Sequence, residues 1–209
     1  MVKRLFQHIG GEHVGILLGF ITLGIALHKD YGTWISLAFA IVGLILALSA
    51  AHNAYIAKST ALVDKYDERF FRNMKHERRS AALFLLGENS TSDELEDVLD
   101  FFETPIAKKV EECSIDAEQV YETFYHWIRL YYQASETFIG DYRKDEPAAY
   151  TSLAGLYAET SKFEVNQIGT GKNLRLAPER LTEYLRQEAN LKTEPSDWGK
   201  VFHQKKSGH

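Results

Sequence analysis

The chain has 209 residues and a net charge of −5. Hydrophobic residues make up 45% of the chain, and aromatic residues alone make up 12% of it. The aromatic content excludes a chain that is disordered throughout, and the single cysteine, Cys113, excludes a disulfide-stabilised scaffold. Charge is unevenly distributed, since residues 1–52 carry only five of the Lys, Arg, Asp and Glu side chains. The N-terminal quarter therefore differs in kind from the rest.

Two apolar segments in this quarter are long enough to cross a membrane. The first covers residues 9–27, including Glu12, and the second covers residues 34–51 without a charge. As helices they are about 28 and 27 Å long, close to the ~30 Å hydrocarbon core of a bilayer. A polar turn at residues 28–33 separates them. We therefore predict a two-helix transmembrane hairpin over residues 1–52.

Two other interpretations of the first segment stay open. Its basic start suits a cleaved signal peptide, but residues 28–30 are His-Lys-Asp where a cleavage site needs small residues. Its charge-free part, residues 14–27, is short for a membrane span and would also suit a buried helix of a soluble protein.

Basic residues predict the orientation of the hairpin. Lys3 and Arg4 precede it, whereas the turn pairs one Lys with one Asp. The positive-inside rule therefore places both termini in the cytoplasm. Basic residues that follow the second segment are expected to lie at the membrane surface and attract anionic lipid; they are Lys58, Lys65, Arg69, Arg72 and Lys75.

Small residues recur on both apolar segments. Glycines four residues apart line one helix face and let another helix approach closely. The expected packing residues are Gly11, Gly15, Gly19, Gly24 and Gly43. These faces either pack within one hairpin or drive the association of several chains.

The remainder is predicted to be an all-α cytoplasmic domain, residues 53–191, followed by a flexible tail, residues 192–209. The sequence shows no run of β alternation, and no Gly or Pro occurs between Leu44 and Leu86, so the second apolar segment is expected to continue into a long helix. Later helix starts are predicted at Thr91 or Ser92, Asp116, Pro147 and Pro178, and Pro105 is expected to kink or interrupt a helix.

Charge within this domain excludes one class of partner. Residues 58–79 carry a net charge of +3, whereas residues 88–147 carry 16 acidic and five basic side chains. A domain this acidic lacks the basic face that nucleic acid requires. We therefore expect no nucleic-acid partner.

Two clusters are candidate sites. The aromatic residues around residue 125 are too numerous for one buried face, so we expect them to form core together with a helix-packing surface. An exposed patch that binds a partner or ligand is the alternative, with the candidate residues Tyr121, Tyr125, Trp127 and Tyr132. A metal site of Glu103, Glu122 and His126 is a weaker alternative, because the chain has no Glu-x-x-His pair. A solvated acidic face, or ion pairs with Arg129 and Arg143, is the simpler interpretation.

No motif predicts a cofactor. Residues 168–172, Ile-Gly-Thr-Gly-Lys, lack the first glycine of a phosphate-binding loop and the hydroxyl residue that follows its lysine. No nucleophile-elbow pattern is present either.

Several stretches carry a resemblance: residues 78–82 (Arg-Arg-Ser-Ala-Ala) through 95–103, then 115–120, Trp127-Ile128, Tyr131 and Tyr142-Arg143. In these the chain resembles small bacterial membrane-anchored proteins of unknown function, which have one or two N-terminal spans and a helical cytoplasmic domain. The resemblance implies the same fold and location. It implies no activity and no catalytic residue.

The sequence therefore favours a non-enzymatic inner-membrane protein without a cofactor. Its expected partners are the lipid bilayer and either further copies of itself or another membrane or cytoplasmic protein. A membrane-permeabilising effector of defence or toxicity, regulated by the cytoplasmic domain, is one alternative. A metal-dependent enzyme is the other.

Overall fold

A computed structural model describes residues 33–88, 91–169 and 174–192, together with Gly19 and Thr22. Over these residues the chain is all-helical and contains no β-strand, which confirms the predicted fold class at that level.

The chain divides into two compact units, Met1–Thr60 and Ala61–His209, and the boundary lies inside one long helix. This helix, α1, covers Thr33–Glu68. Its 36 residues correspond to about 54 Å, which confirms that the second apolar segment continues well beyond a membrane span. The first predicted span lies outside the described residues, apart from Gly19 and Thr22, which are both helical.

Two short π-helical turns interrupt the helices that follow α1. The first, Arg69–Asn73, follows α1 directly, and the second, Phe102–Ala107, contains Pro105. A π turn widens the helix locally and lets the chain continue past the proline, which has no N–H to donate. The helices are α2, Lys75–Leu85; α3, Asp93–Phe101; α4, Lys108–Glu111; α5, Ala117–Ala134; α6, Glu136–Asp145; α7, Thr151–Ile168; and α8, Pro178–Ala189.

The second unit is a bundle around one aromatic core. Helix α5 packs against α7, and α2 packs against both α3 and α8. Phe70 of the first π turn lies at the centre, with its ring 5.3 Å from that of Phe101 and 5.9 Å from that of Phe124. These rings and Tyr131 are at most 1% exposed, so apolar burial here is nearly complete.

Three of the predicted helix starts are confirmed and one is not. Asp116 accepts hydrogen bonds from the N–H groups of Glu118 and Gln119, and Pro178 is the first residue of α8. Ser92 is the residue before α3, although its side chain bonds the Glu96 carboxylate and not a backbone N–H group. Pro147 lies in a turn, and α7 begins four residues later.

Candidate functional site

Helix α1 has two different sides over its apolar part. Large apolar side chains, each 44–56% exposed, occupy most of the helix from residue 37 to residue 46: Leu37, Phe39, Ile41, Val42, Leu44, Ile45 and Leu46. Small residues at helical spacing are buried: Gly43, Ala47 and Ala51. The stretch Leu37–Asn73 is the one described helical segment that is long and apolar enough to cross a membrane.

The predicted glycine face is described at two positions. Gly43 is buried in the small-residue stripe, whereas Gly19 is exposed. A Cβ atom added at Gly19 would meet no described atom within 4 Å, so this glycine makes no close helix contact with the described chain. Gly11, Gly15 and Gly24 lie outside the described residues.

The predicted membrane-surface cations have different environments. Lys58 and Lys65 are exposed on α1. Arg69 lies over the ring of Phe101 at 5.4 Å, and Arg72 pairs with Glu68 at 3.3 Å. Lys75 is half-buried at the start of α2. Lys58, Lys65 and Arg72 are therefore the exposed cations of this set, and Arg72 already has a carboxylate partner.

A buried ion pair connects α2 to α8. Arg78 Nε and Nη2 each donate to a different carboxylate oxygen of Glu188 at 2.7 Å, in a bidentate arrangement. Arg78 Nη1 donates to the Phe70 carbonyl oxygen at 3.3 Å. The Tyr131 hydroxyl lies 3.0 Å from the Glu188 carboxylate and 3.2 Å from the Arg78 carbonyl oxygen. Arg78 is 3% exposed and Glu188 is 7% exposed, so water does not reach either charge. Each charge is therefore compensated by the other inside the domain.

Aromatic rings surround the same guanidinium. Its Cζ atom lies 4.3 Å from the ring centre of Phe70, 5.1 Å from that of Phe71 and 5.9 Å from that of Trp127. These cation–π contacts fix the cation where three elements meet. Burial and the negative charge of Glu188 raise the pKa of Tyr131 well above its ordinary value, so this hydroxyl stays protonated as a donor.

The aromatic residues considered for a partner surface are mostly internal, which agrees with core and helix packing better than with an exposed patch. Tyr121 and Tyr125 are buried, and Trp127 packs edge-on against Phe71 at 4.6 Å. Tyr132 stacks on Tyr157 of α7 at 4.7 Å. These rings join α5 to its neighbours on several sides at once, which explains why one buried stripe cannot account for them.

Polar groups line the contact between α5 and α7. The Tyr121 hydroxyl donates to Glu164 at 2.6 Å, and burial with this bond raises the pKa of Tyr121 to about 12. One turn along α5, the Arg129 guanidinium lies 5.2 Å from the ring centre of Tyr125. Gln133 donates to the Tyr157 hydroxyl at 2.6 Å and accepts from the N–H of Leu176. This contact is therefore specified by hydrogen bonds in addition to packing.

The structure does not assemble the predicted metal site. Glu103 accepts hydrogen bonds from the N–H groups of Ser152 at 3.3 Å and Leu153 at 2.5 Å, so it caps α7. Glu122 is exposed, and His126 contacts the rings of Trp127 and Tyr184 edge-on. Burial and then the charge of Arg129 lower the pKa of His126. Among the described side chains, no three His, Cys, Asp or Glu residues converge as metal ligands.

Arg143 bonds backbone carbonyl groups where ion pairs with acidic side chains were expected. Its guanidinium donates to the carbonyl oxygens of Ala149 at 2.7 Å and Tyr150 at 2.8 Å. These bonds hold the turn that precedes α7, so Arg143 has a structural role.

An open, acidic cavity of about 450 Å³ is lined by Tyr142, Asp145 and Glu146 at the end of α6. Nearby carboxylates, Glu96 first, raise the pKa of Tyr142. This is the most exposed aromatic residue of the second unit's described part, at 36%.

Sequence reasoning missed the Arg78–Glu188 pair. The two residues are 110 positions apart, and each looks like an ordinary surface charge of an amphipathic helix. The only local signal is that both lie beside the apolar positions of their helices.

No family model, no curated protein and no solved structure matches the chain, so the resemblance given above depends on its own residues alone.

Proposed function

We propose that the chain is a membrane-anchored helical protein that acts through contacts with other proteins or with further copies of itself. The observation that carries this proposal is the exposed apolar side of α1, from Leu37 to Leu46. Soluble monomers rarely expose a contiguous apolar patch of this extent, and such patches mark contacts with a membrane or a protein. A bilayer suits this patch because the charge-free run of residues 34–51 matches the thickness of the hydrocarbon core.

The anchor in this proposal is the two-span hairpin, with residues 9–27 as its first span and both termini in the cytoplasm of a bacterial cell. The distribution of Lys and Arg supports this orientation. The second unit then lies on the cytoplasmic side, where its single free cysteine, Cys113, stays reduced.

Self-assembly in the membrane is supported by Gly19. Its exposed position leaves room for a helix of another chain, and glycine permits such a close approach. The same association is required of a membrane-permeabilising effector, so that function is the second candidate. The two candidates differ in whether the assembled spans conduct ions.

Cysteine labelling in intact cells tests the topology. Because Cys113 is the only cysteine and is half-exposed, a membrane-impermeant maleimide should label the wild-type chain only after permeabilisation. In a Cys113→Ser background, Asp30→Cys should label in intact cells, whereas Val2→Cys should not. Labelling of Val2→Cys without permeabilisation would replace the hairpin with a single span.

Cross-linking in membranes tests self-assembly. Gly19→Leu should remove cross-linked oligomers because the larger side chain prevents close helix contact. The control is Ile21→Leu, which keeps the apolar volume and should leave the oligomers intact. If the wild-type chain cross-links neither to itself nor to another protein, the proposed mode of action is wrong. Depolarisation on induction, lost in Gly19→Leu, would select the effector.

A further inference from the structure

The carboxyl group of Glu77 is buried inside the second unit and forms no ion pair with a described Lys or Arg side chain. It lies on α2 and is 1% exposed, and its Oε2 atom has neither a hydrogen-bond partner nor access to solvent. The adjacent residue, Arg78, cannot serve Glu77 because its guanidinium is bound to Glu188 and the Phe70 carbonyl oxygen. A buried carboxylate left in this way is costly, whereas the neutral acid is much less so.

The charged groups around Glu77 are mainly negative. Asp97 and Glu94 of α3 face it, and only His76, its neighbour on α2, contributes a favourable charge. The groups of α8 that reach α2 are engaged elsewhere, since Glu188 binds Arg78 and the Ala189 carbonyl oxygen accepts from Arg79 at 3.2 Å. Burial raises the pKa of Glu77, and the hydrogen bond from its own backbone N–H group and the charge of His76 offset part of that rise.

We propose that Glu77 is a proton-binding site that makes the packing of α2 against α3 sensitive to pH. With a proton bound, the side chain is neutral and tolerates burial beside Glu94 and Asp97. When the proton leaves, an uncompensated carboxylate remains between the two helices, and α2 moves away from α3 to hydrate it. The same helix carries Arg78, so this movement also loosens the contact between α2 and α8.

The sign of the effect follows from linkage. A carboxyl group with a raised pKa in the folded state binds its proton more tightly there than in the unfolded chain. Its stabilising contribution is fully present below the ordinary Glu value of about 4.3, and it is lost as pH rises through the folded pKa. Across that window the unfolding equilibrium constant rises up to tenfold per pH unit relative to a variant with no proton to lose.

The test compares the full chain in detergent micelles with Glu77→Gln and with Glu118→Gln, which removes an exposed carboxyl group. Unfolding by denaturant is followed by fluorescence at several pH values between about 4 and 8. We expect the ratio of the wild-type to the Glu77→Gln unfolding constants to rise with pH, and Glu118→Gln to keep the wild-type profile. A ratio that is constant over this range overturns the proposal.

Two further measurements test the proposal without depending on Glu77→Gln alone. Carbon NMR of labelled Glu carboxyl groups in the wild-type chain should show one group that titrates above the ordinary range. Both Glu77→Gln and Glu77→Met should lack this signal. Hydrogen exchange, corrected for its intrinsic pH dependence, should be faster in α2 and α3 at pH 8 than at pH 5 in the wild type only. A Glu77 signal with an ordinary titration, or exchange that is independent of pH, contradicts the proposal.

Discussion

Arg78 combines an ion pair, a backbone hydrogen bond and three aromatic contacts in one guanidinium group. Its loss would leave the Glu188 carboxylate buried without a cation. We therefore expect Arg78→Ala to lower the free energy of unfolding by about 3–5 kcal/mol, the usual cost of breaking a buried pair from one side. Equilibrium denaturation of the full chain in micelles measures this change.

The exposed pair Arg72–Glu68 provides the matched control. Its side chains are 76% and 63% exposed, so solvent screens their attraction. Arg72→Ala should cost less than about 0.5 kcal/mol. Replacing both buried partners, with Arg78→Met and Glu188→Leu together, should recover most of the lost stability, since apolar residues need no compensation. Equal effects of Arg78→Ala and Arg72→Ala would contradict the role given to Arg78.

Among the residues that the structure describes, two other than glycine adopt a left-handed backbone, Cys113 with φ of 53° and Tyr150 with φ of 56°. This conformation costs a side chain with a Cβ atom about 1–2 kcal/mol. We expect Cys113→Gly to stabilise the domain by about 0.5–1 kcal/mol, because the relieved strain exceeds the entropy cost of glycine. A denaturation midpoint unchanged or lowered by this substitution would contradict the strain.

Replacing Tyr150 by glycine should change the stability of the domain in the opposite direction. Its side chain is 5% exposed and contacts the Tyr142 ring at 5.8 Å, so it contributes to the core in spite of its backbone. Tyr150→Gly should therefore destabilise the domain by about 3–5 kcal/mol. The two residues share a conformation, and only their burial separates the outcomes.

Among the elements, α7 depends on a cap supplied from elsewhere in the chain. The residue before it, Tyr150, offers no side-chain cap, and the Glu103 carboxylate binds the first N–H groups instead. We expect Glu103→Ala to lower stability by about 1–2 kcal/mol, as loss of a helix cap does. Glu111→Ala, at an exposed position, should have little effect. Equal losses in the two variants would show that Glu103 does not cap α7.

Local signals predicted some elements and failed at others. Asp116 and Pro178 start helices because their effects act within one turn. The cap at Glu103 and the site at Arg78 join residues about 50 and 110 positions apart, which no local pattern encodes. The π turn at Pro105 depends on the surrounding packing, which lets helical structure continue from α3 to α4 although proline donates no backbone hydrogen bond.

Helix α1 also revises one expectation about lipid contact. If the apolar run ends at residue 51, Lys58 lies about 10 Å further along α1 and is the first of these cations after the run. The headgroup layer is only a few ångströms thick on each side of the hydrocarbon core, and the charge of its lipids is screened within about 8 Å. Of the five cations predicted at the membrane surface, Lys58 is therefore the one best placed for headgroup contact on an upright helix.

For the molecule as a whole, the absence of β alternation and the helix-start signals predicted an all-α chain, and the described structure is all-helical. The aromatic residues of α5 are mostly internal because a helix that contacts neighbours on several sides has aromatic residues around most of its circumference. The residues of the alternative metal site do not converge, because sequence spacing places Glu122 and His126 on one helix but does not locate Glu103 relative to them.

Membrane anchoring is the central claim, and fractionation tests it most directly. The full chain, expressed in bacterial cells, should sediment with membranes after an alkaline carbonate wash and dissolve only in detergent. Ile41→Asp with Ile45→Asp should shift it towards the supernatant, because each central aspartate costs about 2.5–3.5 kcal/mol in a membrane helix. Recovery of the intact wild-type chain in the supernatant without detergent would contradict the account.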